Sequence, residues 1–66
     1  MMAGDVKKML RDAMQAMAEV GVKYPEFASR AIESGNVILY IRDQHEAGDE
    51  TATAIVKMFQ SRGIIP

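Results

Sequence analysis

The residues of this sequence best suited to metal binding or proton transfer surround its single histidine, His45. Asp43, Glu46 and Asp49 flank it, and a histidine beside carboxylates can bind a metal ion or act as a general acid or base. However, Asp43 and Glu46 are not four residues from His45, and Gly48 interrupts any helix between His45 and Asp49. We therefore interpret His45 as part of an exposed polar turn and predict no metal site.

The hydroxyl side chains of the sequence also lack a catalytic arrangement. Ser29, Ser34 and Ser61 have no histidine near them in the sequence, and there is no glycine-rich phosphate loop and no cysteine. A chain of 66 residues rarely forms a deep substrate pocket. The sequence therefore predicts a protein that is not an enzyme, uses no cofactor and takes no small-molecule substrate.

The composition is that of an ordinary globular domain, with 48% hydrophobic and 26% charged residues. The net charge of -1 gives no overall attraction to phosphate backbones or to anionic lipid. No apolar run approaches the roughly 20 residues that a membrane span needs. The start of the sequence has no signal-peptide pattern, because charged residues interrupt it, so we expect a cytoplasmic protein.

Hydrophobic periodicity predicts a single domain, residues 1–66, with four helices at about 5–20, 25–34, 37–47 and 49–62. The first belongs to an additional amphipathic segment, residues 1–22, with Asp5 as its N-cap and Gly21 as its stop. Residues 24–66 form the second unit. Its helices are introduced by Pro25, Asn36 and Asp49.

The run from Val37 to Ile41 leaves two alternatives open. It is rich in β-branched and aromatic residues, so it could be a buried strand or the start of a helix. The polar residues that follow it favour the helix. The predicted core consists of Ala31, Ile32, Ile38, Ile41, Ala52, Ile55, Val56, Phe59 and Ile64.

Three segments of the second unit carry a family resemblance. They are Ala31-Ile32-Glu33-Ser34-Gly35, the segment Tyr40-Ile41-Arg42-Asp43-Gln44-His45-Glu46-Ala47-Gly48, and Ala52-Thr53-Ala54-Ile55-Val56-Lys57-Met58-Phe59 followed by Gly63-Ile64-Ile65. Together they resemble the C-terminal winged-helix (gamma) domain of the FtsK/SpoIIIE-type bacterial DNA translocases, over about two-thirds of the chain. The resemblance implies an all-α domain containing a helix-turn-helix. Because the chain ends at Pro66, we expect a winged helix without its wing.

The first function hypothesis is an accessory or regulatory protein that docks the helix from Asp49 into the major groove of duplex DNA. The candidate nucleic-acid contacts are Arg42, Gln44, Thr51, Thr53, Lys57 and Arg62. The exposed positions where the family carries an asparagine and arginines here correspond to Glu50, Thr51 and Ala54. Residues 49–62 contain two acidic and two basic side chains, so this helix offers no net charge to phosphates.

The second hypothesis is a protein-interaction module, such as a small adaptor or inhibitor of the phage or plasmid type. The candidate partner contacts are Met9, Met14, Met17, Asp49 and Glu50. Methionine adapts to varied partners, although we expect the methionine stripe to pack mainly into the core. Any width of the stripe beyond the core would remain available to a partner. Either function is compatible with a homodimer.

Overall fold

The computed structural model describes residues 2–66, with side chains described from Val6 onward. Four helices follow one another: α1 (Met2–Lys23), α2 (Pro25–Glu33), α3 (Val37–Glu46) and α4 (Glu50–Ser61). Residues 2–66 contain no strand. The predicted all-α, four-helix class is therefore confirmed, and the alternative of a strand at residues 36–41 is wrong.

Helix α1 extends beyond both of its predicted ends. It begins at Met2, so Asp5 lies inside the helix rather than at its N-cap, and the Asp5 side chain is outside the described part. The helix also runs through Gly21, which was predicted to stop it. Glycine inside a helix costs only about 1 kcal/mol relative to alanine, which neighbouring helical residues can offset.

Proline, rather than glycine, ends α1. Steric contact with the proline ring disfavours the helical region for the residue before it, and Tyr24 has φ -132° and ψ 64°. The Tyr24 N–H still donates to the carbonyl of Val20 at 2.8 Å. The chain therefore stays helical up to Lys23 and turns sharply at Tyr24 into α2, which Pro25 begins.

The start of α3 is fixed by a local hydrogen bond. The Asn36 side chain accepts from the Leu39 N–H at 3.1 Å, as an N-cap does. Gly35, at φ +85°, reverses the chain just before it. These two residues explain why an apolar run of high β propensity is helical here.

A glycine turn links α3 to α4. Gly48 has φ +89°, the Gly48 N–H donates to the carbonyl of His45, and the Asp49 N–H donates to the carbonyl of Gln44. This is the double hydrogen bond of a Schellman motif. Asp49 then caps α4, because its Oδ1 accepts from the Ala52 N–H at 2.8 Å.

The buried core consists of Ala16, Val20, Phe27, Ala31, Ile41, Ala52, Ile55, Val56 and Phe59. Six of the nine predicted core residues are among them. Ile32 and Ile38 were predicted to be buried but are 69% and 55% exposed, and Ile64 is only partly buried. Phe27 and Ala31, four residues apart, fix the inward face of α2 and leave Ile32 about 100° away from it.

The molecule is elongated, with extents of 38 × 20 × 20 Å. Ala16 and Val20 bury the C-terminal half of α1 in the core. The large apolar residues nearer its N-terminus, from Val6 to Met14, remain exposed. We call residues 6–14 the α1 overhang, because this part of the helix projects beyond the core.

No helix of the described residues combines the length and the apolar character that a membrane span requires.

Candidate functional site

An apolar surface formed by α1 and α2 is the main candidate site of the molecule. A groove between the two helices is lined by Leu10, Ala13, Met14, Met17, Ala18, Gly21, Ala28 and Ile32. We call this set the α1–α2 face. Leu10, Met14 and Ile32 are 59%, 72% and 69% exposed, so the face carries large apolar side chains that the chain itself does not cover.

Helical geometry explains why this face lies beside the core rather than in it. The buried residues Ala16 and Val20 define the inward direction of α1. Leu10 and Met14, four residues apart, lie on an adjoining flank of the same helix, because each residue advances about 100° around the axis. The apolar arc of α1 is thus wider than the core needs, and its outer part forms the face.

The overhang extends this face toward the N-terminus. Val6 and Met9 are 49% and 59% exposed. Lys7 and Arg11 line a shallow groove together with Leu10 and Met14, so two basic side chains border the apolar residues. The overhang is therefore an apolar stripe with a basic rim.

The structure divides the predicted methionine contacts. Met9 and Met14 are exposed, and Met17 is half-buried against the core. The expectation that the stripe packs mainly into the core is therefore wrong for Met9 and Met14. Sequence reasoning missed Ile32 as a surface residue, since its apolar character alone did not say which flank of α2 would be covered.

A second, smaller apolar cleft lies between α3, α4 and the C-terminal tail. It measures about 180 Å³ and is lined by Ile38, Ile41, Arg42, His45, Val56, Phe59 and Ile65. Ile38, predicted to be core, stands at this cleft instead of beneath another helix. The cleft is large enough for one or two apolar side chains but not for a drug-sized ligand.

Arg62, a predicted phosphate contact, forms an ion pair within the chain, at the protein surface. Its two terminal nitrogens pair with the two carboxylate oxygens of Glu19 at 2.7 and 2.8 Å, which joins the end of α4 to α1. The hydrogen bond from Arg62 lowers the pKa of Glu19 below its usual value, and the same bond raises the pKa of Arg62. In a bidentate pair of this kind both side chains are held in place, and the two terminal nitrogens of the guanidinium already have a carboxylate partner.

Thr53, a predicted base contact, is also engaged. Its hydroxyl donates to the carbonyl of Asp49 at 2.9 Å and lies 3.1 Å from Nδ1 of His45. His45 is exposed in the last turn of α3, so this contact ties α3 to the first turn of α4.

The remaining predicted contacts are dispersed. Arg42 is exposed. Its guanidinium nitrogens lie 3.6 Å from a carboxylate oxygen of Asp43 and 3.9 Å from one of Glu46, so two carboxylates of its own helix are close to it. Thr51 lines a depression with Lys23 and Arg30 beside the start of α2. Gln44 is half-buried and Lys57 is exposed.

The two acidic candidates have different roles. Asp49 is the N-cap of α4, so its carboxylate is used by the backbone. Glu50 is exposed in the first turn of the same helix. Within the described residues, no three His, Asp or Glu side chains come close enough to hold a metal ion, and no polar side chain is buried.

Comparison of the chain with models of protein families, with curated proteins and with solved structures found no match.

Proposed function

We propose that this protein is a non-enzymatic protein-interaction module that binds a protein partner through the α1–α2 face. The observation that carries the proposal is the continuous exposure of Leu10, Met14 and Ile32 on that face. Soluble monomers rarely expose large contiguous apolar patches, and such patches mark binding surfaces when polar residues rim them.

The composition of the face fits a protein partner better than a nucleic acid or a small molecule. Its centre is apolar and contains methionine, whose flexible thioether packs against varied shapes. Its rim carries Lys7 and Arg11. An apolar centre inside a charged rim is the usual anatomy of a protein interface. Ala18 and Gly21 lower the surface between the large side chains, so a partner helix can approach α1 closely.

DNA binding and the relation to the FtsK/SpoIIIE-type gamma domains stay predictions. Hydrogen bonds and ion pairs within the chain already occupy two of the predicted DNA contacts, which weighs against DNA binding. Arg62 pairs with Glu19, and Thr53 bonds to His45 and Asp49. Most of the free energy of nonspecific DNA binding comes from basic side chains at phosphates. A cytoplasmic location belongs to the proposal as well, because a protein without cysteine suits a reducing compartment.

The experiment that tests the proposal is site-specific photo-crosslinking in cells that produce the full chain. A photoreactive amino acid replaces Met14 in one variant and Val22 in a matched control. Val22 is 82% exposed on the same helix but is not part of the α1–α2 face. We expect discrete protein adducts from position 14 and none from position 22.

A second measurement separates the proposal from the DNA hypothesis. We expect titrations of the purified chain with duplex DNA at low salt to stay flat. The proposal is overturned if position 14 yields no protein adduct while the chain binds duplex DNA. In that case Lys57→Ala should reduce the salt dependence of binding by about one phosphate contact.

A further inference from the structure

We infer that the α1–α2 face is covered by a second copy of this chain, bound antiparallel, so that each overhang packs on the face of the other copy. This inference rests on the proposed function and names its partner. Three features of the molecule support it: its surface area, the placement of the overhang, and the spacing of the apolar residues on α1.

The surface area of the chain is larger than that of a compact monomer. A folded monomer of 7.3 kDa is expected to expose about 4,200 Å². This chain exposes 4838 Å², which is about 600 Å² more. The excess is smaller than the roughly 800 Å² that each side of a standard interface buries but of the same order.

The shape of the molecule agrees with the area. A compact domain of 66 residues has an expected radius of gyration of about 11 Å, whereas the measured value is 12.2 Å. The overhang of α1 accounts for the elongation. In an antiparallel pair, each overhang would lie alongside the core of the other copy and fill the space on that side.

The apolar spacing on α1 favours the antiparallel orientation. Val6, Leu10, Ala13 and Met17 follow one another at intervals of four, three and four, as core positions of a coiled coil do. A two-fold axis between positions 11 and 12 sets Leu10 against Ala13 of the other copy, and Val6 against Met17. Large residues then face a small or flexible one at each level.

Ile32 is part of the surface that the second copy would cover. It belongs to α2 and lines the same groove as Leu10, Met14 and Met17 of α1. A pair related by one two-fold axis is closed, so it does not propagate into a filament.

The first test measures the mass of the purified full chain by sedimentation equilibrium. We expect twice the 7.3 kDa of one chain for the unmodified protein. Met14→Glu places two carboxylates in the proposed interface and should weaken the dimer at least 100-fold. Val22→Glu adds the same charge to the same helix outside the face, and we expect it to remain dimeric. Circular dichroism should give both variants the helicity of the parent.

The second test determines the orientation, and it uses the absence of natural cysteine. A mixture of Leu10→Cys and Ala13→Cys chains should form a disulfide between the two variants under mild oxidation, because positions 10 and 13 face each other. Each variant alone should crosslink poorly. Efficient self-crosslinking of Leu10→Cys alone would establish a parallel pair and overturn the antiparallel arrangement.

Other occupants of the face would give different results. A monomeric mass at millimolar concentration, together with photo-crosslinks from position 14 to an unrelated protein, overturns the second copy as partner and leaves the proposed function standing. A monomer whose Met14→Glu variant loses binding to vesicles of anionic phospholipid overturns both, because the overhang would then be a membrane-surface helix with Lys7 and Arg11 at the headgroups.

Discussion

Replacing Asp49 with alanine separates the two roles that the sequence suggested for this residue. Asp49 was predicted both to cap the fourth helix and to contact a partner. In the structure its Oδ1 accepts from the Ala52 N–H at 2.8 Å, and its own N–H closes the preceding turn on Gln44. Asp49→Ala removes the acceptor and the charge but keeps the backbone bond. We therefore expect the variant to lose stability rather than binding.

The size of the effect follows from the capping bond and the helix dipole. Loss of an N-cap side chain costs about 1 kcal/mol, and loss of a negative charge at a helix N-terminus costs roughly 0.3–1 kcal/mol. The sum is about 1.3–2 kcal/mol. A domain of this size changes its Tm by roughly 4–8 °C per kcal/mol. Asp49→Ala should therefore lower the Tm by roughly 5–16 °C.

Thermal unfolding followed by circular dichroism, at one fixed protein concentration, measures this change. Asp49→Asn keeps a side-chain acceptor and should lose only the smaller, charge-dependent part. Glu50→Gln alters a neighbouring charge that makes no cap and should behave like Asp49→Asn. The reasoning is refuted if Asp49→Ala and Glu50→Gln lower the Tm equally, because the capping bond would then contribute nothing.

Four further substitutions test the core, two glycines and the ion pair. Ile55→Ala leaves a cavity at a fully buried position and should lower the free energy of unfolding by about 2–5 kcal/mol. Urea titrations measure this change. A loss below about 1 kcal/mol would mean that Ile55 is not tightly packed. Gly48→Ala forces alanine to φ +89° and should lower the free energy of unfolding by about 1–2 kcal/mol. Gly21 lies within a helix, so Gly21→Ala should instead raise the free energy of unfolding by about 0.5–1 kcal/mol. This second change is measured in the monomeric Met14→Glu background. The pKa of Glu19 is lowered from its ordinary value of 4.5 by the hydrogen bond from its arginine partner, so the pair stabilises the fold above that pH and loses its effect as the pH falls through the folded pKa. The difference in unfolding free energy between the parent and Glu19→Gln should therefore be smaller at pH 3 than at pH 7, and equal differences would contradict this assignment.

Features determined by a few neighbouring residues were predictable from the sequence. Asn36 and Asp49 cap their helices, and Gly35 and Gly48 take positive φ angles at the turns. Each depends on contacts within about five residues, so the residue types carry the information. Gly21 is the instructive exception: it has the right type for a stop but lies in a helix that Pro25 ends four residues later.

Features that depend on distant contacts were not predictable. Glu19 and Arg62 are 43 residues apart in the sequence, and only the packing of α4 against α1 brings them together. Arg62 therefore looked like a free basic residue. Ile32 likewise looked like core, because a helix of nine residues with adjacent apolar positions does not reveal which flank faces inward. The burial of Phe27 and Ala31 decides it.

The exposed face of α1 follows from the lengths of the helices as much as from their composition. At about 1.5 Å per residue, the 22 residues of α1 span about 33 Å, whereas the 12 residues of α4 span about 18 Å. The core covers only the C-terminal half of α1, where Ala16 and Val20 are buried, and it leaves Val6, Met9, Leu10 and Met14 exposed. The apolar character of these exposed residues is what makes the stripe a candidate binding surface.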